Sequence, residues 1–508
     1  MIGIFHIIGG VAMIKGTVGA GILSIITESL YDKPIVVFRE YVQNSVDALS
    51  KTEAIGDAND LSVKIWANNN NTALFFLDNG TGIQSDKFQD AMKTIANSGK
   101  IKTENIGYKG IGRLSGIPYC KTLSFVNIID YSQCKFQKYD IDCSAYGEIQ
   151  KSDSFHDLDF DMLMSKIGTL ESDPNCKNIL KIIEAHADLF ADRNTGFLVM
   201  LKDISTVLKS VIEDEQFIDN LSWLLPAPFS SEVLSQSFED TNSSELFEEL
   251  MTQSIMGDSN SIPAKSYNIF FENEQLYRPL ANNMFRKYLC KSDLGQYAVC
   301  VHAFSNKKIE IDRKNPFSGI RVYIDNMLLC DENELIPALQ QYGLVQRGSI
   351  SELIQSVRGI GAMIYITDKI NISANARRTF IDVTDEDSIN FLRLIGEFVD
   401  SIFKARYALS GYEAAKRKGD IEDEKLVKAK EDATQSLRIL ARDNISLEEE
   451  DSPAHIEFDK LPKTEQKRLI KNSINKELNL AVKRYLSQIE DCDIETCFEN
   501  FRTWFKAN

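Results

Sequence analysis

Apolar residues at Phe38, Val42, Val46 and Leu49 recur at helical spacing, so the stretch from Phe38 to Leu49 predicts one amphipathic helix. Glu40, Asn44 and Asp47 stand at i, i+4 and i+7 in the same stretch, which puts three polar groups on one line of the opposite face. Upstream, Ile22, Ile25, Ile26 and Leu30 give a second helical pattern over 18–30, ended by Asp32-Lys33-Pro34. Downstream the period changes. Leu61 to Trp66 alternates as a strand, Asn68 to Asn71 reads as a turn, and Leu74-Phe75-Phe76-Leu77 is a buried strand that stops at Asp78-Asn79-Gly80-Thr81-Gly82. The order predicted is helix, helix, antiparallel hairpin. A helix over 85–102 with a turn at Ser98-Gly99-Lys100 follows, then strands at 123–129 and 135–141, a polar and acidic excursion over 142–192, and an apolar strand entered through Arg193-Asn194-Thr195-Gly196.

Two of these stretches carry chemistry. A carboxylate at the mouth of a strand, as at Asp78, can accept a hydrogen bond from an exocyclic amine, and glycines behind it at 80 and 82 let a flat ring approach the backbone. That combination points to a purine pocket. Gly107-Tyr108-Lys109-Gly110-Ile111-Gly112-Arg113 presents successive unobstructed backbone N–H groups just before a plausible helix start, an anion cradle suited to a triphosphate.

Taken together, the Glu40 to Leu49 block, Asp78-Asn79-Gly80-Thr81-Gly82 and the 107–116 glycine loop resemble the GHKL ATPases, the superfamily of the ninety-kilodalton heat-shock chaperones, gyrase B, MutL, MORC proteins and sensor histidine kinases. Ser29-Leu30-Tyr31 through Glu40, and Ile95-Ala96-Asn97-Ser98-Gly99-Lys100, look most like the chaperones, and the motifs span about residues 24–117. The resemblance implies an α+β fold: an N-terminal GHKL sandwich over 14–215, a connector at 216–262, a middle or transducer domain over 263–390, and a helical C-terminal region over 391–508 unlike the chaperones. It implies ATP and Mg²⁺ as cofactors. Glu40 would be the general base, Asn44 the magnesium ligand, and Asp78 the adenine reader with Gly82 beneath the ring and Gly80 also in the nucleotide site. Asp47 and Ala48 would line the nucleotide, Gly107, Lys109, Gly110, Ile111 and Gly112 would hold the phosphates, and Ser98, Gly99 and Lys100 would belong to a mobile lid. A threonine entering a late strand completes the adenine site in the chaperones, where it follows the glycine; here Thr195 precedes Gly196, and an ordinary strand-initiating threonine fits equally.

Farther along, Asn220 to Phe229 marks a boundary and 230–263 is polar and acidic. A hairpin is expected over 320–329, and a strand at 363–366 leads to Arg377 and Arg378, either a γ-phosphate sensor or an exposed pair capping the next helix. Phe391, Leu394, Ile395, Phe398, Ile402 and Phe403 make a strong helical stripe, with helix expected to continue to Asn444 broken at Gly411 and Gly419. The tail carries Ile470, Ile474, Leu478, Ala481 and Tyr485 on one face among lysines, a packing helix or a dimer or DNA contact.

Composition narrows the partners. With 43% apolar and 26% charged residues the chain is an ordinary globular one, and a net charge of -17 opposes general polyanion binding. Nine scattered cysteines without a CxxC pair fit reduced cytoplasmic thiols better than a disulfide framework or zinc site. The apolar leader at 1–13 is too short to span a bilayer and lacks a basic flank, and Met13 is an alternative start. The expected function is an ATP-driven clamp that closes as a homodimer on protein partners, with no membrane contact and with nucleic acid less favoured. The alternative is a MutL-, MORC- or topoisomerase-like clamp, or an ATPase effector of a bacterial antiviral defence system. A histidine kinase would need a phosphoacceptor histidine on a dimeric helix upstream of the ATPase domain, which this sequence is not expected to provide.

Overall fold

In a computed structural model, the structure describes residues 18–25, 33–54, 61–93, 111–171, 174–229, 265–278, 289–304, 318–345, 348–375, 380–417 and 424–441. They form two sheets with helices, the α+β architecture expected.

The first sheet has eight strands: β1 (Ser62–Ala67), β2 (Ala73–Asp78), β3 (Thr122–Asp130), β4 (Lys135–Asp142), β5 (Gly168–Glu171), β6 (Gly196–Lys202), β7 (Asn268–Phe271) and β8 (Glu274–Gln275). Their spatial order is β5-β4-β3-β6-β2-β1-β7-β8, and every pairing is antiparallel except β1 with β7. The helix Val36–Ala54 covers one face. Its Phe38 and Tyr41 rings meet Phe76 edge-on at 5.5 and 5.1 Å, and Phe38, Val42, Val46 and Leu49 are fully buried, worth about 2 kcal/mol each. On the other face Phe75, Leu77, Val126, Leu198 and Met200 pack with Ile179, Ile183 and Phe190. A sheet covered on both faces needs apolar residues at consecutive positions, which explains the unbroken Leu74 to Leu77 run.

Three short helices, Cys143–Gln150, Phe160–Ile167 and Cys176–Ile183, and strand β5 fill the stretch expected to be a polar excursion over 142–192. Each helix starts at a side-chain cap: Asp142 accepts from Ala145 N–H at 2.9 Å, Asp159 from Met162 N–H at 2.7 Å, and Asn175 from Asn178 N–H at 3.3 Å. Two of the acidic residues of that stretch, Asp142 and Asp159, therefore start helices. The boundary expected at 263 assigns β7 and β8 to the second domain, whereas both join the first sheet through Ser62↔Asn268 to Ile65↔Phe271.

The second sheet comprises β9 (Leu289–Leu294), β10 (Ala298–Ala303), β11 (Gly319–Ile324), β12 (Met327–Asp331) and β13 (Gly361–Ile366), in the order β12-β11-β13-β10-β9. Helices Glu332–Gln341 and Ile350–Val357 both open with capping boxes, Asp331 with Glu334 and Ser349 with Glu352. Helix Glu386–Arg417 buries Phe391, Leu392, Ile395, Val399 and Ile402 and runs through Gly411 without the expected break, because that glycine faces open space and nothing there interrupts the ladder. Helix Glu424–Ala441 packs beside it, and His302 Nε2 donates to Leu440 O at 2.9 Å. The segments expected at 230–263 and beyond 441 lie outside the described residues. No helix among the described residues is long and apolar enough to cross a membrane.

A buried arginine joins the two sheets. The β11–β12 hairpin turns through Asp325 and Asn326, both with positive φ (50° and 61°), the two-residue turn that right-twisted strands favour. Its tip meets Arg278, which is fully buried. Arg278 donates to Leu225 O and Asn326 O at 2.7 Å, to Ser222 O at 3.3 Å and to Asn326 Oδ1, with its guanidinium 4.6 Å from the Tyr323 ring. Removing it strands several buried acceptors. Arg278→Ala should lower the unfolding free energy by about 3 kcal/mol in urea titration, with Arg278→Lys recovering part of the loss.

Candidate functional site

Two glycines bring loops onto one helix. A Cβ at Gly80 would stand 2.8 Å from the Ala48 Cβ and 2.9 Å from its backbone carbon, so that contact requires a residue without a side chain, and one at Gly112 would stand 2.2 Å from Glu40 Oε2 and displace that carboxylate. Ala48 and Glu40 are eight residues apart on helix Val36–Ala54, about 12 Å along its axis at 1.5 Å per residue. Asn44, half-buried, lies midway between them, and Asp47 is buried one residue before Ala48.

At the Glu40 end, the carboxylate is buried and its Oε1 accepts from Arg39 Nε and Nη2 at 3.4 and 3.3 Å. Tyr41, beside it, donates its hydroxyl to Arg113 O at 3.1 Å and accepts from Gly116 N–H at 3.0 Å, fastening the end of the glycine loop to the helix. Burial pushes the Tyr41 phenol well above its usual pKa, which keeps that donor protonated.

At the Ala48 end, Asp78 is buried and burial pushes its carboxyl up to about 7, opposed by hydrogen bonds from the Ser45 hydroxyl and the Gly80 N–H. The Gly80 N–H donates to Asp78 Oδ1 at 3.0 Å, and Thr195 Oγ1 donates to Gly80 O at 2.9 Å. Gly196 adjoins Asp78 so closely that a Cβ there would be 2.3 Å from Asp78 O. Ile83 is held through its N–H and O by the Asn127 side chain at 2.9 and 2.7 Å.

The structure therefore gathers Glu40, Asn44, Asp47, Ala48, Asp78, Gly80, Gly82, Ile111, Gly112 and Thr195 along one helix and the loops that meet it. Ser98, Gly99, Lys100, Gly107, Lys109, Gly110, Arg377 and Arg378 lie outside the described residues. The backbone pairs on either side of the two arginines, with Asn375 N–H donating to Phe380 O at 2.9 Å and Asp382 N–H to Ser373 O at 2.7 Å. Sequence reading missed Ser45, Tyr41, Gly196 and Asn127. Asn127 had a signal, a lone amide inside the apolar run from Leu123 to Ile129; Ser45 and Tyr41 look like ordinary helix residues. A separate recess of about 610 Å³ touches Ser62, Lys64, Asn79, Asp188 and Arg193, but Lys64 is paired with Asp188 at 2.8 Å and Asn79 bonds Ser62 N–H and Leu189 O.

Such an arrangement sets a buried carboxylate at each end of one helix face, Asp78 beside Ala48 and Glu40 beside Gly112, with the Asn44 amide between them. Residues 33–161 match the family described as histidine kinase-, DNA gyrase B-, and HSP90-like ATPase. This part of the chain, about a quarter of its length, is similar to the ATPase domains of that family. It is similar to the chaperone protein HtpG of Buchnera aphidicola subsp. Baizongia pistaciae, 31% identical over 111 residues, 18% of this chain and 18% of that protein. It is also similar to heat shock protein 90-5, chloroplastic (36% over 89 residues) and heat shock protein 90-6, mitochondrial (33% over 89 residues) of Arabidopsis thaliana, each match covering 16% of this chain and 11% of the relative. The chain thus spans under a fifth of the length of these relatives.

The raised Asp78 pKa sets a pH dependence. With its folded value near 7 and the unfolded one near 3.8, the folded state holds more protons between those values, so the Asp78 contribution destabilises the ligand-free protein as pH rises from about 4 to 7. Asp78→Asn should remove that fall, and denaturant titrations at pH 5 and 8 should show the variant gaining on the wild type at the higher pH.

Proposed function

We propose that the chain is a magnesium-dependent ATPase that works as an ATP-driven conformational clamp on protein partners, closing as a homodimer in the cytoplasm. The observation that carries this reading is the pair of glycine contacts, Gly80 on Ala48 and Gly112 on Glu40, which bring a buried carboxylate reader, Asp78, and a buried carboxylate base, Glu40, to the two ends of one helix face. The GHKL match, the HtpG and Hsp90-like relatives and the net charge of -17, which disfavours a polyanion partner, support it.

Each residue has a part in this reading. Asp78, ionised, accepts from the adenine amine, and the Thr195–Gly80 bond holds the loop beneath the ring. The amides of the 107–112 loop hold the phosphates and Tyr41 anchors the loop's end. Asn44 offers an amide oxygen to Mg²⁺, which when bound would neutralise phosphate charge. Glu40 orients and deprotonates the attacking water, and Arg39, bonded to its Oε1, leaves Oε2 turned toward Gly112. Arg377 or Arg378 would bring a cation to the terminal phosphate from the second domain.

Steady-state ATP turnover by the purified chain tests the proposal. Glu40→Ala should bind ATP yet turn it over about 10²–10⁴-fold more slowly, as loss of a general base requires. Asp78→Asn should lose binding. Full turnover by Glu40→Ala would overturn the assigned base, and strong DNA stimulation that vanishes with added salt would replace the protein partner with nucleic acid.

A further inference from the structure

The first sheet changes character along one row. Phe76, Val199, Phe125 and Tyr139 stand side by side across β2, β6, β3 and β4, all buried and apolar or aromatic. Two residues along, the same face carries Asp78, Phe197, Asn127 and Gln137 in register. The apolar floor ends there, and the loop from Asn79 to Ser85 crosses above this second row.

Asn127 is fully buried, and it bonds that loop and its neighbour in the row. Its Oδ1 accepts from Ile83 N–H at 2.9 Å, and its Nδ2 donates to Ile83 O at 2.7 Å and to Gln137 Oε1 at 3.2 Å. The side chain thereby pairs with Ile83 as a strand backbone would. Gln137 in turn donates to Ser85 O at 2.9 Å. Gly82, between the two anchored ends of the loop, has φ +61°, and a Cβ on it would stand 2.9 Å from Asn127 Oδ1 and 3.1 Å from Gly196 O. So the loop is pinned at Gly80 by Asp78 and Thr195, and at Ile83 by Asn127.

We infer that Asn127, supported by Gln137, is the positioning residue of the ring-binding loop: it presses Gly82 onto the sheet and sets affinity for the base of the nucleotide without touching it. This inference rests on the nucleotide-site reading above. A near-isosteric apolar side chain at 127 leaves both Ile83 backbone groups unpaired and frees the loop to lift.

The experiment compares the full-length wild type, Asn127→Leu and Gln137→Ala by equilibrium binding of adenosine and ADP, with hydrogen exchange read on peptides spanning Ile83, β2 and β6. Asn127→Leu should bind both ligands about tenfold more weakly, about 1.4 kcal/mol, and by the same factor, because the loss lies at the base. The Ile83 peptide should exchange faster while the β2 and β6 peptides stay protected, a pattern that a merely structural loss would not give. Gln137→Ala, at the half-buried end of the row, should move both readouts the same way by a smaller factor, and decides the matter if Asn127→Leu does not fold. Wild-type binding with both variants within twofold of it and an unchanged Ile83 peptide would overturn the inference alone. Absence of ADP binding by the wild type would overturn the nucleotide site and the inference with it.

Discussion

The structure depends on how near two loops come to the helix Val36–Ala54. That helix is held down by a face of fully buried side chains, Phe38, Val42, Val46 and Leu49, against β2 and its neighbours, so it cannot shift to make room. Gly80 and Gly112 then approach its polar side at distances where any Cβ would collide with Ala48 or Glu40. Close packing on the apolar face thus fixes the geometry on the polar one, with a buried carboxylate near each end.

The electrostatics follow from the same burial. Asp78 sits at the last position of a central strand, so little water reaches it, and among the described residues a serine hydroxyl and one backbone N–H favour its charge. A carboxyl kept near neutrality in the free protein is poised to gain its charge when a donor arrives. Glu40, by contrast, has the Arg39 guanidinium as its neighbour. Two buried carboxylates on one helix face therefore have different partners, as a reader and a base would need.

Much of the site was legible because it is local. The i, i+4, i+7 spacing of Glu40, Asn44 and Asp47 and the Asp78-to-Gly82 strand end need no partner information, and the periodicity of the helix Val36–Ala54 and the hairpin β1–β2 were read from pattern alone. What escaped was long-range. The parallel pairing of β1 with β7 joins residues about 200 positions apart, and alternation identifies a strand without naming its neighbour. Arg278 reads as one more basic residue until the Asn326 turn and the Leu225 carbonyl close around it. The helices of 142–192 were hidden for a different reason: each is only eight residues long, too short for a clear period, although Asp142, Asp159 and Asn175 are proper starts.

The central claim is an adenine-nucleotide pocket between Gly80 and Gly112 on one helix. Calorimetric titration of the intact chain with ADP and, separately, GDP tests it most directly. The account predicts one ADP per chain and binding of GDP about tenfold or more weaker, since a carboxylate at Asp78 matches an exocyclic amine donor and opposes a carbonyl. No heat of binding with ADP, or equal affinity for the two nucleotides, would contradict it.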